Sequence, residues 1–87
     1  MCANLMPTIL RIDGYEIVIY LRDHLPPHVH VFAHGCEAVI ELQCPEGAPE
    51  IREFYRFKSR QLRGVLDVVT THQEQLCAMW KVIHGKF

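Results

Sequence analysis

"HVHVFAHGCEAVIEL", residues 28–42, is the stretch that decides the fold, because it has the pattern of two strands joined by a turn at His34-Gly35. A two-residue turn fixes the pairing of a hairpin and places His28 opposite Glu41. In this register one face carries the apolar side chains of Val29, Val31, Ala38 and Ile40. The other face carries those of His28, His30, Phe32, Glu37, Val39 and Glu41. This sorting predicts an antiparallel sheet that is covered on one face.

A second hairpin is indicated by Asp13-Gly14, which separates two segments rich in β-branched residues. Asp-Gly is a strong signal for a two-residue hairpin turn, in which both residues have a positive φ. The resulting register places Arg11 opposite Glu16, a favourable pair of charges across the strands. Residues 51–57, IREFYRF, follow a loop rich in proline and are predicted to form a short fifth strand.

Residues 60–84 are predicted to be helical, because apolar side chains recur there at steps of three and four residues. The recurring residues are Leu62, Val65, Leu66, Val69, Leu76, Trp80 and Ile83. Ser59 is the expected N-cap, and the β-branched Thr70 and Thr71 predict either one helix or two joined by a kink near residues 70–72. The fold class is therefore α+β: an antiparallel sheet of two hairpins, with about four to five strands, covered on one face by a C-terminal helix or a kinked helix pair.

The composition is typical of a small globular protein. The 87 residues fit one domain, residues 1–87, and 49% of them are apolar while 22% are charged. A net charge of −1 provides no global attraction for nucleic acid or for an acidic membrane. The apolar runs are too short to span a bilayer, and MCANLMPTIL lacks the pattern of a secretory signal. We therefore expect a cytoplasmic protein without a membrane partner.

The four cysteines have spacings that match no CxxC unit, so a zinc knuckle or a redox-active pair is not indicated. They are Cys2, Cys36, Cys44 and Cys77. Without an export signal we expect reduced thiols. Cys36 and Cys44 are the two that could approach each other, although buried small side chains are the simpler interpretation.

His28 and His30 are two residues apart on a predicted strand, so their side chains project to the same side. Two imidazoles at this spacing can supply ligands to zinc, copper, iron or nickel, which makes a divalent transition metal one hypothesis. Glu41 and His24 are candidates for a further ligand. His34 lies in the turn, about 13–20 Å from His28, and is a poor one.

Acid–base catalysis by His28, His30 and Glu41 is a second hypothesis, and it requires no cofactor. A carboxylate opposite an imidazole fixes the tautomer of the ring, and such a pair can move a proton near neutral pH. A third interpretation is that the three are polar residues on a solvent-facing sheet, contributing at most about 1 kcal/mol as a cross-strand pair.

Basic residues cluster in the window 52–63, which holds five of the nine lysines and arginines. The cluster consists of Arg52, Arg56, Lys58, Arg60 and Arg63. Lys58, Arg60 and Arg63 surround the predicted start of the helix, where free N–H groups and the helix dipole favour an anion, and together with Arg56 they form the candidate anion site. Phosphates of RNA or a carboxylate-rich partner would fit, and a solvated surface with Glu50 and Glu53 as counterions is the alternative.

Several motifs together resemble a family of small bacterial proteins known as domain-of-unknown-function family 4160. They are MPTILRI, Gly14, DHLPPHVHV, Glu37-Ala38 and LRGVLDVV with HQEQLCAMW. The string Pro-Pro-His-Val-His is uncommon, and the resemblance covers about residues 6–87. Residues 1–5 lie outside it as an extension, so the typical member is expected to start at Met6.

The resemblance implies a component of a two-gene cassette in the manner of toxin–antitoxin systems. Its partner would be a small cognate protein encoded by a neighbouring gene, and its His28–His30 face would bind or cleave RNA. The alternatives are a transition-metal-binding domain that uses His28 and His30, and a non-catalytic interaction scaffold. Apolar residues on both faces of the first two strands also allow a homodimer.

Overall fold

The computed structural model describes residues 7–86, and the predicted extension at residues 1–5 lies outside them. Within the described residues, five strands form one antiparallel sheet in sequential order. The strands are β1 (Thr8–Ile12), β2 (Tyr15–Ile19), β3 (His28–Ala33), β4 (Cys36–Glu41) and β5 (Glu50–Tyr55), and the helices are α1 (Ser59–Thr71) and α2 (Gln73–His84). The helices pack on the sheet, which confirms the α+β class and the fifth strand. None of the helices in this part of the chain is long and apolar enough to cross a membrane.

Both hairpin turns have the backbone that their sequences predict. Asp13 and Gly14 have φ values of +53° and +85°, and His34 and Gly35 have +53° and +79°. The positive φ values match the right-handed twist of the flanking strands. The predicted register of β3 with β4 is confirmed along its whole length, from His28 opposite Glu41 to the turn. The pairing of β1 with β2 is confirmed in the same way.

The core lies between one face of the sheet and the two helices. Val29, Val31, Ala38 and Ile40, the four apolar residues assigned to this face, are fully buried. From the helices, the buried residues include Val65, Val69, Leu76 and Trp80, four members of the predicted apolar stripe. The apolar side chains that alternate along the strands and those that recur along the helices therefore pack together in one apolar layer.

The helical segment is divided at His72, inside the predicted kink region. The His72 N–H bonds to the carbonyls of Val68 and Val69, which ends α1, and the His72 carbonyl accepts from Leu76 N to start α2. The predicted N-cap at Ser59 is wrong, because Lys58 is the N-cap and Ser59 is the first helical residue. The Gln61 side chain accepts the Lys58 N–H at 2.7 Å, which is the bond that the N3 residue makes in a capping box.

Cys44 and Cys77 form a disulfide, so the expectation of four reduced thiols is wrong. The two residues are 33 positions apart, and the packing of α2 against the β4–β5 loop brings their Cα atoms to 5.8 Å. Local spacing could not reveal this pair, because the contact depends on where the helix crosses the loop. Cys36, the residue considered able to approach Cys44, is a free thiol. Cys2 lies outside the described residues.

Candidate metal centre

His28 and His30 lie side by side at the start of β3, with ring centroids 5.2 Å apart. Their predicted position on an open sheet face is only half correct, because His28 is only 5% exposed. The Trp80 ring from α2 lies 5.5 Å from the His28 ring, and the Tyr20 ring lies 4.8 Å from that of His30. The pair thus lies between two aromatic rings, one from the residue that follows β2 and one from α2.

Asp23 is the third member of this cluster and comes from the loop between β2 and β3. Its backbone N–H donates to the Tyr20 carbonyl at 3.1 Å, and its Oδ2 accepts the Tyr20 N–H at 3.0 Å. This reciprocal pair of bonds fixes the carboxylate. The second oxygen, Oδ1, lies 3.4 Å from His28 Nε2 and 3.3 Å from His30 Nε2. One oxygen therefore faces both imidazoles.

The opposite nitrogen of each ring is also held by a hydrogen-bond acceptor. His28 Nδ1 lies 2.9 Å from the Pro26 carbonyl, and His30 Nδ1 lies 3.3 Å from Glu37 Oε2. Carbonyl and carboxylate oxygens only accept hydrogen bonds, and Asp23 Oδ1 lies at hydrogen-bond or ion-pair distance from each Nε2 as well. Both nitrogens of each ring therefore face an acceptor, and a metal held at Nε2 would displace any proton there and leave Nδ1–H bonded to its own oxygen.

Three potential ligand atoms consequently converge on one point. A ligand atom from each of Asp23, His28 and His30 lies within 4.8 Å of the others. A cation in this space could replace protons on the two Nε2 atoms and be attracted by the Asp23 carboxylate. Zinc bonds at tetrahedral angles would separate neighbouring ligand atoms by about 3.3–3.5 Å. Asp23 Oδ1 lies 3.4 and 3.3 Å from the two Nε2 atoms, and these two separations match that range.

The oxygen and nitrogen partners behind the ligand atoms resemble the outer shell of known metal sites. A ligating histidine usually donates its other N–H to a carboxylate or a backbone carbonyl, which fixes the tautomer and the ring orientation. His30 has the carboxylate of Glu37 in this role, and His28 has the Pro26 carbonyl. The β3–β4 register places Glu37 beside His30, and the diproline loop places the Pro26 carbonyl beside His28.

Glu41, the predicted partner of His28, is directed elsewhere. The backbone register is as predicted, but Glu41 Oε2 accepts from Arg52 Nε at 3.1 Å and Oε1 accepts from the Gln43 amide at 3.4 Å. A bulge in the pairing of β4 with β5 gives Arg52 its place beside Glu41. The carboxylate that contacts the His28 ring is therefore that of Asp23 and not that of Glu41. His24 and His34, the other histidines of the segment, are exposed.

Asp23 was missed because its position depends on a loop. It stands five residues before His28, in the same DHLPPHVHV motif, so the motif was the available signal. Strand alternation can place His28 and His30 on one face, but it says nothing about a loop that folds back over that face. The Tyr20–Asp23 turn and the diproline determine this fold-back together.

The face around the cluster is acidic. Register places Glu16, Glu37, Glu41 and Glu53 on the same face as His30, where their neighbours include Arg11 and Arg52. Each arginine pairs with one glutamate, Arg11 with Glu16 and Arg52 with Glu41. Burial raises the pKa of Tyr20, and the nearby carboxylates of Glu37 and Asp23 raise it further. This local field favours a cation and opposes a phosphate.

The four residues of the predicted anion site lie on the surface around the start of α1. Arg56, Lys58, Arg60 and Arg63 are all exposed. No direct ion pair within residues 7–86 joins them to a carboxylate. Arg60 lines a surface hollow with Asp13 and His34, at the turn end of the sheet. Binding of an anion by these residues stays a prediction.

Comparisons with known proteins give one match. A family model described as a domain of unknown function, DUF4160, matches residues 14–81, which include every residue of the cluster. Searches of curated proteins and of solved structures found no match.

Proposed function

The chain belongs to the DUF4160 family of domains of unknown function, so its activity has to be argued from the site, and we propose that it binds a divalent transition metal through Asp23, His28 and His30. Imidazole and carboxylate together suit zinc, iron, cobalt or nickel, and the two separations of Asp23 Oδ1 from the ring nitrogens are compatible with four-coordinate zinc. This proposal extends the metal hypothesis for His28 and His30 by adding the carboxylate ligand.

The observation that carries the proposal is the convergence of three potential ligand atoms from groups whose other polar atoms are already bonded. Asp23 Oδ2, His28 Nδ1 and His30 Nδ1 each have a partner of their own. The remaining atom of each group faces the same point, and all three side chains are mostly buried. Each group can therefore keep its other bond while this atom binds a cation.

Three protein ligands leave one position of a tetrahedral ion for water or another small ligand. A zinc ion in such a site can lower the pKa of its bound water and act as a Lewis acid. The chain's own contribution is to fix the three ligand atoms, to cover the His28 ring with the buried Trp80 ring, and to supply negative charge.

RNA binding or cleavage at the His28–His30 face, together with a cognate protein partner, stays a prediction. The acidic face gives RNA little electrostatic attraction, because affinity for nucleic acid depends on contacts of basic groups with phosphates. Metal-free acid–base chemistry would use the same two histidines with Asp23 in place of Glu41. Activity on RNA that survives removal of metal would support this second hypothesis.

Calorimetric titration of zinc and of nickel into the full chain tests the proposal. We expect binding with one ion per chain, and we expect Ala at Asp23, His28 or His30 to weaken it by more than the roughly 10–100-fold cost of losing an outer-shell partner. His24→Ala and His34→Ala are matched controls that remove an exposed histidine from the same segment. Equal weakening by these controls, or no binding to a folded wild-type chain, would overturn the proposal.

A further inference from the structure

Helix α2 is joined to the β4–β5 loop by two kinds of tether. The Cys77 side chain forms the disulfide with Cys44, and the Gln73 amide donates to the Leu42 carbonyl at 2.7 Å. The Gln73 amide also bonds to the carbonyl of Gly47 in the same loop. Because α2 begins at the kink at His72, these tethers determine how the helix lies on the sheet.

Trp80 connects this tethered helix to the candidate metal centre. It follows Cys77 by three residues, so the two side chains lie on the same face of α2. The indole is fully buried, its Nε1 donates to the Lys86 carbonyl at 3.0 Å, and its ring lies 5.5 Å from that of His28. The disulfide thus lies one helical turn from the ring that covers a metal ligand.

A second connection runs through the backbone. Leu42, two residues before Cys44, donates its N–H to the Pro27 carbonyl at 2.9 Å. Pro27 precedes His28, and the Pro26 carbonyl accepts from His28 Nδ1. The strand end that leads into the disulfide therefore borders the loop that orients the His28 ring.

We propose that the Cys44–Cys77 disulfide regulates metal affinity at the Asp23–His28–His30 cluster by holding Trp80 and the diproline loop against His28. This inference rests on the proposed function. The reductant is a cellular thiol or dithiol. Its thiolate attacks one sulfur and breaks the S–S bond, and a second thiol of the reductant resolves the mixed disulfide. Two electrons and two protons reach Cys44 and Cys77, and the reductant leaves as its own disulfide.

The oxidised chain binds metal more tightly than the reduced chain. With the disulfide broken, α2 retains the Gln73 bonds but loses the tether nearest to Trp80, so the His28 ring is less restricted before binding. Fixing a less restricted ligand costs conformational entropy. Because Trp80 and the Pro26 carbonyl act behind the ligand atoms, the expected loss is about 10-fold, at the lower end of the range for outer-shell partners.

The experiment measures zinc affinity of the full chain, oxidised and after reduction with a phosphine, in a Cys2→Ser/Cys36→Ser background. Cys44→Ser/Cys77→Ser in that background mimics the reduced chain and cannot supply thiolate ligands of its own. Circular dichroism checks that it folds, and Trp80→Phe, which keeps the disulfide, is a second variant that removes part of the ring contact. We expect weaker binding in the reduced chain, in the double serine variant and in Trp80→Phe, and no effect of the phosphine on the double serine variant.

The possible outcomes separate the two proposals. Metal binding of equal strength in the oxidised, reduced and double serine chains would overturn the redox inference and leave the metal site intact. No binding in any form would overturn the metal site itself. Coupling is reciprocal, so a tenfold difference in affinity must also make the disulfide harder to reduce by about 30 mV when zinc saturates the chain. An unchanged potential would contradict the inference even if the serine variant were unfolded.

Discussion

At the scale of single residues, Asp23 changes the interpretation of the two histidines. Without it, His28 and His30 are two imidazoles on a strand, and the expected third group, Glu41, is occupied by Arg52. With it, both rings face one carboxylate oxygen. The Nδ1 atoms have oxygen partners of their own, so each ring can keep its Nδ1 proton while its Nε2 binds a metal.

The first prediction separates metal binding from ordinary stability at this position. Asp23→Asn keeps an oxygen for the Tyr20 N–H and presents an NH₂ donor to the two Nε2 atoms. In a chelator we expect the variant to unfold at a free energy within about 0.5–1.5 kcal/mol of the wild type, because an amide N–H···N bond replaces the contacts of the carboxylate. Zinc should stabilise the wild type and leave the variant unchanged, as measured by urea unfolding. A variant that zinc stabilises as much as the wild type would refute the role of Asp23.

The second prediction concerns Glu37, which bonds to His30 Nδ1 and touches no metal position directly. Glu37→Gln keeps the shape but weakens the acceptor, so zinc affinity should fall roughly 10–100-fold with the stoichiometry unchanged. Glu16→Gln is the matched control, because Glu16 lies on the same face and pairs with Arg11. A similar loss in both variants, measured by calorimetry, would indicate a general charge effect instead.

At the scale of secondary structure elements, the two ends of the β3–β4 hairpin have different roles. The end at His28 carries the candidate centre, and the end at His34-Gly35 closes the turn with positive φ. The strand alternation that buries Val29 and Val31 also directs His28 and His30 to the opposite face. One register therefore determines both the core and the site.

The third prediction uses this division. In Gly35→Ala the new Cβ meets nothing within 4 Å, but the φ of +79° is unfavourable for alanine. The variant should lose about 1–2 kcal/mol of unfolding free energy, while its zinc affinity stays at the wild-type value because the turn lies at the far end of the hairpin. Urea unfolding and calorimetry on the same samples check both parts. Loss of metal affinity in a folded Gly35→Ala chain would show that the turn and the site are coupled.

At the scale of the whole molecule, alternation and turn chemistry were sufficient to predict most of the fold. Asp13-Gly14 and His34-Gly35 fixed both hairpin registers, and the threonines at 70 and 71 marked the place where the helix divides. These signals are local and repeat along the chain. They require no knowledge of which distant segments meet.

The features that could not be predicted all depend on tertiary packing. The Cys44–Cys77 bridge requires α2 to cross the β4–β5 loop, and Asp23 requires a loop to fold over a strand. His28 is buried by its contact with Trp80. The sequence predicted that Trp80 is buried, but it did not predict that Trp80 contacts His28. The sequence alone therefore predicted two ligands of the candidate centre, His28 and His30. The third ligand, Asp23, and the burial of His28 by Trp80 depend on tertiary packing.

The fourth prediction is that metal binding stabilises the entire fold. A ligand that binds only the native state adds about 2.7 kcal/mol at a free concentration of 100 times its dissociation constant. The three ligands come from a loop and a central strand, so global unfolding should release the ion. Urea unfolding with and without zinc measures the shift. An unchanged midpoint at saturating zinc would show that the unfolded chain binds the ion equally well or that the native chain does not bind it.

The most direct test of the central claim is anomalous diffraction at the zinc absorption edge from crystals of the full chain grown with zinc. The account predicts a peak within about 2.0–2.2 Å of Asp23 Oδ1, His28 Nε2 and His30 Nε2, with each Nδ1 still bonded to its oxygen partner. A peak at another group, such as the Cys36 thiol, with the cluster empty at saturating zinc, would contradict it.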